Sequence, residues 1–340
     1  MSPSSTPAKL PVSYATASAE AVAEFVTKQF DVGRSVTCHL LHRGFNDVYE
    51  VNAGIGNRFI FRVAGHRARG PADVASETAF LAFLGAEGVA VAEAVPARDS
   101  ALFTSVALPD GPRAAVLFQH VAGRPPNLDN PDDARVQGAA LARVHHAADR
   151  YPGRAEGRYR LDLDHLLHRQ VAAVLALDFE APQARGDLTA LAQRLATAVE
   201  RVDRDLTRTR CHGDCHGLNA RIPAAGRYAG QAVLFDFDDG GFGYLAYDLA
   251  VHLWAQVSFG RRRHAVWQAF DQGYRTVRPM TPVDEAATPL FVAIRHIWLM
   301  GEYAGRTAEW GREVLSAAWL EREVGFLLAW ERDKLSPGLL

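Results

Sequence analysis

Lysine is almost missing from this chain of 340 residues: Lys9, Lys28 and Lys334 are the only three, so every permanent cation between positions 29 and 333 is an arginine. Cysteine is scarce as well. Cys38, Cys211 and Cys215 make an odd number that forms no disulfide framework, which points to a reducing compartment. No apolar run reaches the length of a bilayer span, since the stretch from Ala287 to Met300 is broken by Pro289, Arg295 and His296. The opening MSPSSTPAKLPVSYA lacks a basic region followed by an apolar one, so no signal peptide is expected and a cytoplasmic, soluble protein is. A formal charge of −2 and a pI near 6.7 give no basic surplus of the kind nucleic acid requires. Neither nucleic acid nor membrane is an expected partner. A GxSxG elbow is missing too, which removes the esterase triad. The length exceeds what one core usually serves, so about two domains are expected.

What the chain does have is concentrated in two short segments, CHGDCHGLN at 211–219 and LFDFDD at 234–239. Phosphoryl transfer needs a group to take the proton of the attacking hydroxyl and oxygen ligands that hold Mg²⁺ against nucleotide phosphates. Asp214, Asn219 and Asp236 supply those groups. The gap of five from Asp214 to Asn219 is the base-to-metal-ligand gap of the protein-kinase catalytic loop, and Asp236 follows an apolar strand read at Gln231 to Phe235. Two other readings compete. Cys211, His212, Cys215 and His216 could ligate a soft metal, but they crowd into six residues without the long intervening loop of structural zinc sites. Asp214 alone would be a solvated loop acid; its ordered company of Asn219, Asp236 and Asp248 speaks against that.

HGDxHxxN (His212, Gly213, Asp214, His216, Asn219), then Phe235-Asp236-Phe237, then Tyr247-Asp248-Leu249-Ala250, resembles the aminoglycoside phosphotransferase and choline kinase superfamily. The wording HGDCH with FDFDD is most similar to the branch holding homoserine kinase type II and the stress response kinase A. The resemblance implies an α+β, protein-kinase-like two-lobed fold with a small antiparallel-sheet N-lobe and a large, mainly helical C-lobe. The N-lobe, with an N-terminal helix, the sheet and an αC-like helix, is expected over 1–118, the hinge over 119–124 and the C-lobe over 125–340.

With no lysine available, an arginine has to hold the α/β-phosphates if this is a kinase. Alternation in Asn57 to Ala64 puts Phe59, Phe61 and Val63 on one strand face and Ile60 and Arg62 on the other, so Arg62 is the candidate, against the alternative of a surface arginine. It also matches an arginine frequent at this place in the family. Glu77, in the first turns of a helix read at Asp73 to Leu84, is the expected partner of Arg62 or else a solvated helix acid. Leu41 to Val51 fits a hairpin whose turn, with Gly44 and Asn46, either lies over the phosphates or is an ordinary turn. The strand Arg113 to Phe118 leads into the hinge, where the resemblance makes Gln119 and Val121 the adenine-recognising positions.

Further helices are expected at Pro131 to Ala148, Asp162 to Ala176, Asp187 to Leu206, Ala246 to Ser258, Arg262 to Arg275, Val283 to Glu302 and Glu309 to Leu335. His145 and His146 read as packed or surface residues. Asp248 is expected to cap its helix and brace the catalytic loop. Only eleven residues separate Asp236 from Asp248, too few for a phosphorylated activation loop. The expected activity is ATP- and Mg²⁺-dependent O-phosphotransfer to a hydroxyl of a small molecule, a metabolite, amino alcohol, sugar or antibiotic. A protein Ser/Thr kinase is the alternative, and a pseudokinase-like module is disfavoured by the presence of all three reactive residues. Glu302, Glu309, Glu313, Glu321 and Glu323 mix with Arg295, His296 and Arg306 without forming a cage or clamp, so the acceptor and the oligomeric state stay open.

Overall fold

The computed structural model describes residues 10–65, 70–153, 160–258, 260 and 263–335. Contacts divide the chain into two compact units, Met1–Pro71 with Ala94–Gln119 and Ala72–Glu93 with His120–Leu340. In the smaller, helix α1 (Ala19–Gln29) is followed by strands β1 (Val36–Arg43), β2 (Asn46–Ala53) and β3 (Arg58–Ala64). Helix α2 (Pro71–Ala86) belongs to the larger unit, and β4 (Thr104–Leu108) and β5 (Gly111–Gln119) return to the sheet, whose order is β1-β2-β3-β5-β4 with every pairing antiparallel. Strand alternation decides what it buries. Tyr49 and Val51 of β2, Phe61 and Val63 of β3 and Ala115 and Leu117 of β5 share one core with Val22 and Val26, four residues apart on α1, and with Phe30 at its C-cap.

The expected 1–118 boundary differs from this division in one element. The αC-like helix α2 finds its partners in the larger unit: the Phe80 ring meets Tyr151 edge-on at 5.1 Å, and Arg210 donates to the Ser76 carbonyl at 2.9 Å. Backbone bonds between Ala92 and Leu234 and between Leu234 and Ala90, both 3.0 Å, fasten the segment behind it.

The rest of the larger unit is mainly helical. Its elements are α3 (Pro131–Ala148), β6 (Arg160–Leu161), a π-helical turn Asp164–His168 running into α4 (Arg169–Leu175), and α5 (Pro182–Val202). Then come β7 (Arg208–Cys211), β8 (Ala220–Arg221), β9 (Val233–Leu234), β10 (Gly241–Tyr244), α6 (Leu245–Val257), α7 (His264–Arg275), α8 (Pro282–Ala304), α9 (Thr307–Trp310) and α10 (Ala317–Lys334). β10 pairs with β6 and β7, and β8 pairs with β9. α6, α8 and α5 contribute Tyr247, Val251, Phe291, Ile294, Leu191 and Leu195 to the main core. α3 and α7 approach closely because Gly138 and Gly273 face the Phe270 and Arg135 carbonyls, where a Cβ would collide.

Several boundaries moved. The helix expected over Glu309 to Leu335 is two helices, because Gly311 takes a φ of 75° that ends α9 and Ser316 then caps α10 by accepting from Trp319 N at 3.3 Å. α5 starts at Pro182, where a proline costs no helical hydrogen bond, and not at Asp187. The strand expected over Gln231 to Phe235 is reduced to Val233–Leu234 by its two-residue partner β8. Arg262, expected to open α7, lies outside the described residues. Among the described residues no helix is long and apolar enough to cross a membrane.

Candidate active site

β7 ends at Cys211 and hands the chain to the loop 212–219, which two fixed points shape. Phe235 N donates to the Asn219 carbonyl at 3.1 Å, and the His212 ring donates from Nε2 to the Phe235 carbonyl at 3.0 Å while its Nδ1 accepts from Asp214 N at 3.2 Å. Both ring nitrogens are therefore used, and burial holds the imidazole below its ordinary pKa and so neutral. Gly213 sits at φ 86°, and a Cβ there would strike the Asp239 carbonyl. Only glycine lets the loop lie this close to the 236–240 turn.

Within the loop, Asn219 Nδ2 donates to Asp214 Oδ2 at 2.9 Å and to the Asp214 carbonyl at 3.0 Å. Its amide oxygen takes no hydrogen bond from the described residues. Asp236 follows β9 with φ 66°, a left-handed conformation that non-glycine residues adopt sparingly and that concentrates at functional sites. His216 Nδ1 accepts from Leu218 N at 3.3 Å, which leaves its Nε2, as donor, 3.5 Å from Asp214 Oδ2.

Asp248 is fully buried and braces the loop as expected, accepting from His212 N at 2.6 Å and Gly213 N at 2.8 Å. It does not cap its own helix; the N-cap of α6 is Tyr244. Burial would raise the Asp248 pKa, but the His145 hydrogen bond and the surrounding charges outweigh it and the carboxyl lies below its usual value. His145 is the residue whose role the sequence hid. Its Nε2 meets Asp248 at 2.9 Å and its Nδ1 meets Tyr274 OH at 2.8 Å, so the histidine read as packing holds the brace.

Arg295 of α8 was read only as one of several scattered charges. It is 3 % exposed, and its Nη2 forms an ion pair with Asp214 Oδ1. Nη1 donates to the Gly213 carbonyl and to Tyr247 OH, each at 3.2 Å. The sequence signal for it was a lone cation on the stripe shared by Phe291 and Trp298 of an otherwise apolar helix.

Cys211 and Cys215 are buried and desolvation pushes both well above the ordinary thiol pKa. Cys211 Sγ donates to the Tyr244 carbonyl at 3.4 Å, and among the described residues no cluster of three or more His, Cys, Asp or Glu forms a metal cage.

The remaining candidates are placed as follows. Arg62 lies on β3 between Val48 and Val116, 5 % exposed, with its guanidinium 5.0 Å from the Phe118 ring centre. Glu77 is buried on α2 in the other unit. Gly44 forms the β1–β2 turn by donating to the Asn46 carbonyl at 3.0 Å, and Asn46 Oδ1 accepts from Gly65 N at 3.2 Å, a bracket inside the sheet. Gln119 is exposed at the end of β5, and Val121 is half-buried just beyond it in the larger unit.

With this geometry in view, the chain was compared with known proteins. The model of the APH family, the phosphotransferase enzyme family, matches residues 38–280. An uncharacterized protein of Deinococcus radiodurans is 42% identical over 86% of this chain and 84% of its own. A microcompartment-associated aminopropanol kinase superposes with a TM-score of 0.73 at 25% identity, covering 94% of this chain and 99% of its own. An amicoumacin kinase, solved with AMP-PNP, Ca²⁺ and its antibiotic, also reaches 0.73, at 18% identity over 94% and 95%. The fold is thus the α+β, kinase-like one that the motifs implied.

Proposed function

The chain belongs to the phosphotransferase enzyme family, whose members use an alcohol group as acceptor, and within it we propose an ATP- and Mg²⁺-dependent O-phosphotransferase acting on a hydroxyl of a small molecule. The observation that carries this is the Asp214–Asn219 pair. Asn219 spends its amide N–H groups on the base and keeps its oxygen clear, in a loop tied at Phe235 to the residue that precedes Asp236. One carboxylate with one amide oxygen is a hard, sparse donor set that suits Mg²⁺, which keeps waters and phosphate oxygens as its other ligands. When bound there, the ion offsets the charge on the phosphate oxygens.

The chain's own groups do the remaining work. Asp214 orients the acceptor hydroxyl and takes its proton as the γ-phosphoryl group passes from the ADP oxygen to the acceptor oxygen. Arg62 supplies the guanidinium for the nucleotide phosphates that no lysine can supply. A small acceptor is favoured because β10 starts five residues after Asp236 and α6 follows at once, so the stretch after Asp236 holds no long activation-type loop.

The test is transfer of label from [γ-³²P]ATP to a panel of amino alcohols, sugars, hydroxylated metabolites and aminoglycosides, with casein alongside. Label on a small molecule, lost in Asp214→Ala, is the expected result. Label on casein alone would contradict the small-molecule assignment.

A further inference from the structure

Asp214 has two carboxylate oxygens, and different elements hold them. Oδ2 receives Asn219 from its own loop, and Oδ1 receives the Arg295 guanidinium from α8. The arginine is fixed in turn: Nη1 bonds the Gly213 carbonyl and Tyr247 OH, and the guanidinium carbon stands 4.4 Å from the Trp298 ring centre and 5.4 Å from that of Trp254. Its Nε is buried without a hydrogen-bond partner among the described residues.

A guanidinium kept from water with one donor unsatisfied is a poor investment in stability, because desolvation offsets most of what such a pair gains. Its geometric effect is larger. A carboxylate gripped at one oxygen can still swing about its Cβ–Cγ bond, whereas one gripped at both, by groups from two separately packed elements, has a fixed plane. Misplacing a reacting group by 1 Å costs about 10²-fold in rate.

We propose that Arg295 is the positioning residue of this site, setting the plane of the Asp214 carboxylate against the incoming hydroxyl through the fork of its guanidinium. This rests on the reading of Asp214 as the hydroxyl-orienting base. Arg295 is buried, and its terminal nitrogens engage Asp214, the Gly213 carbonyl and Tyr247 OH, so its removal is expected to act on turnover and leave binding alone.

Arg295→Met and Arg295→Lys test this, with Mg·ATP as the ligand and water as the acceptor, so that no particular alcohol has to be known. Calorimetry gives the Mg·ATP affinity, phosphate release gives kcat and KM, and thermal melting reports folding. In Arg295→Met, kcat of the folded protein falls by about 10²-fold, while KM and Mg·ATP affinity stay within about twofold of wild type; the melt is lowered because Asp214 loses its partner, so kcat is read well below it. Arg295→Lys recovers part of kcat but stays below wild type, because an ammonium keeps the charge and loses the fork. A kcat for Arg295→Met equal to wild type overturns the inference, as does a loss of turnover that only tracks unfolding or weaker Mg·ATP binding. Should the methionine variant fail to fold, a wild-type kcat in Arg295→Lys overturns it on its own. A wild-type protein that neither binds nor turns over Mg·ATP removes the phosphotransfer reading and this inference together; active wild type with unaffected variants removes only the inference.

Discussion

Asp47 in the smaller unit and Asp248 in the larger are both carboxylates with no exposure to solvent, and each is surrounded by donors. Asp47 accepts from Tyr14 OH at 2.9 Å and from Arg113 at 3.4 Å, side chains that fasten the segment before α1 to the sheet. Asp248 accepts from two backbone amides of the loop that carries Asp214, and from His145 behind it. The desolvation problem is the same at both places, and so is its solution by hydrogen bonds and charge. The difference lies in what is attached. One network fastens chain to chain; the other transmits its rigidity to the loop that carries the partly exposed Asp214.

The largest effect that would break or sharpen this contrast is at the attached group. Asp214→Asn should lower turnover by about 10²–10⁴-fold with Mg·ATP affinity near wild type and a lowered melting temperature, because Arg295 stays buried without its carboxylate, as steady-state kinetics beside calorimetry would show. Next comes Asp248→Ala. It should lose about 3–5 kcal/mol of stability, measured by denaturant unfolding, and the folded fraction should still turn over about tenfold or more slowly, because the loop amides lose their anchor. Asp47→Ala should lose a similar about 3–5 kcal/mol while the folded fraction keeps its kcat. Equal kinetic losses in Asp47→Ala and Asp248→Ala would erase the distinction between the networks. The smallest effect concerns Arg62. Arg62→Ala should weaken ATP by about 10–10²-fold, the worth of a charge-assisted hydrogen bond of about 1.5–3 kcal/mol, with Arg62→Lys recovering part.

Much of this was legible in the chain. The loop 211–219 and the turn 234–239 announce themselves because phosphotransfer chemistry dictates residue type and short spacing together. β3 follows from a period of two and α3, α6, α7 and α8 from one of three to four, whereas the antiparallel sheet was implied by the resemblance and β4 was not read. What could not be read depends on contacts distant in sequence. His145 lies 103 residues from the Asp248 it supports, and Arg295 lies 81 from Asp214; nothing local marks His145 as more than a packed or surface residue, and Arg295 shows only as a cation on an apolar stripe. The break at Gly311 was written in the sequence as a glycine, but the helical pattern on both sides concealed it. α2 was expected with the sheet because the resemblance made it the αC-like helix of the N-lobe, whereas Phe80 and Ser76 pack with Tyr151 and Arg210, far ahead in sequence.

The most direct test of the central claim is calorimetric titration of ATP, with and without Mg²⁺, into wild type, Asp236→Ala and Cys215→Ser. If the 214–236 constellation is a metal–nucleotide phosphotransfer site, wild type and Cys215→Ser should bind ATP in a strongly Mg²⁺-dependent way and Asp236→Ala should lose that dependence. Mg²⁺-dependent binding that survives in Asp236→Ala and disappears in Cys215→Ser would contradict it.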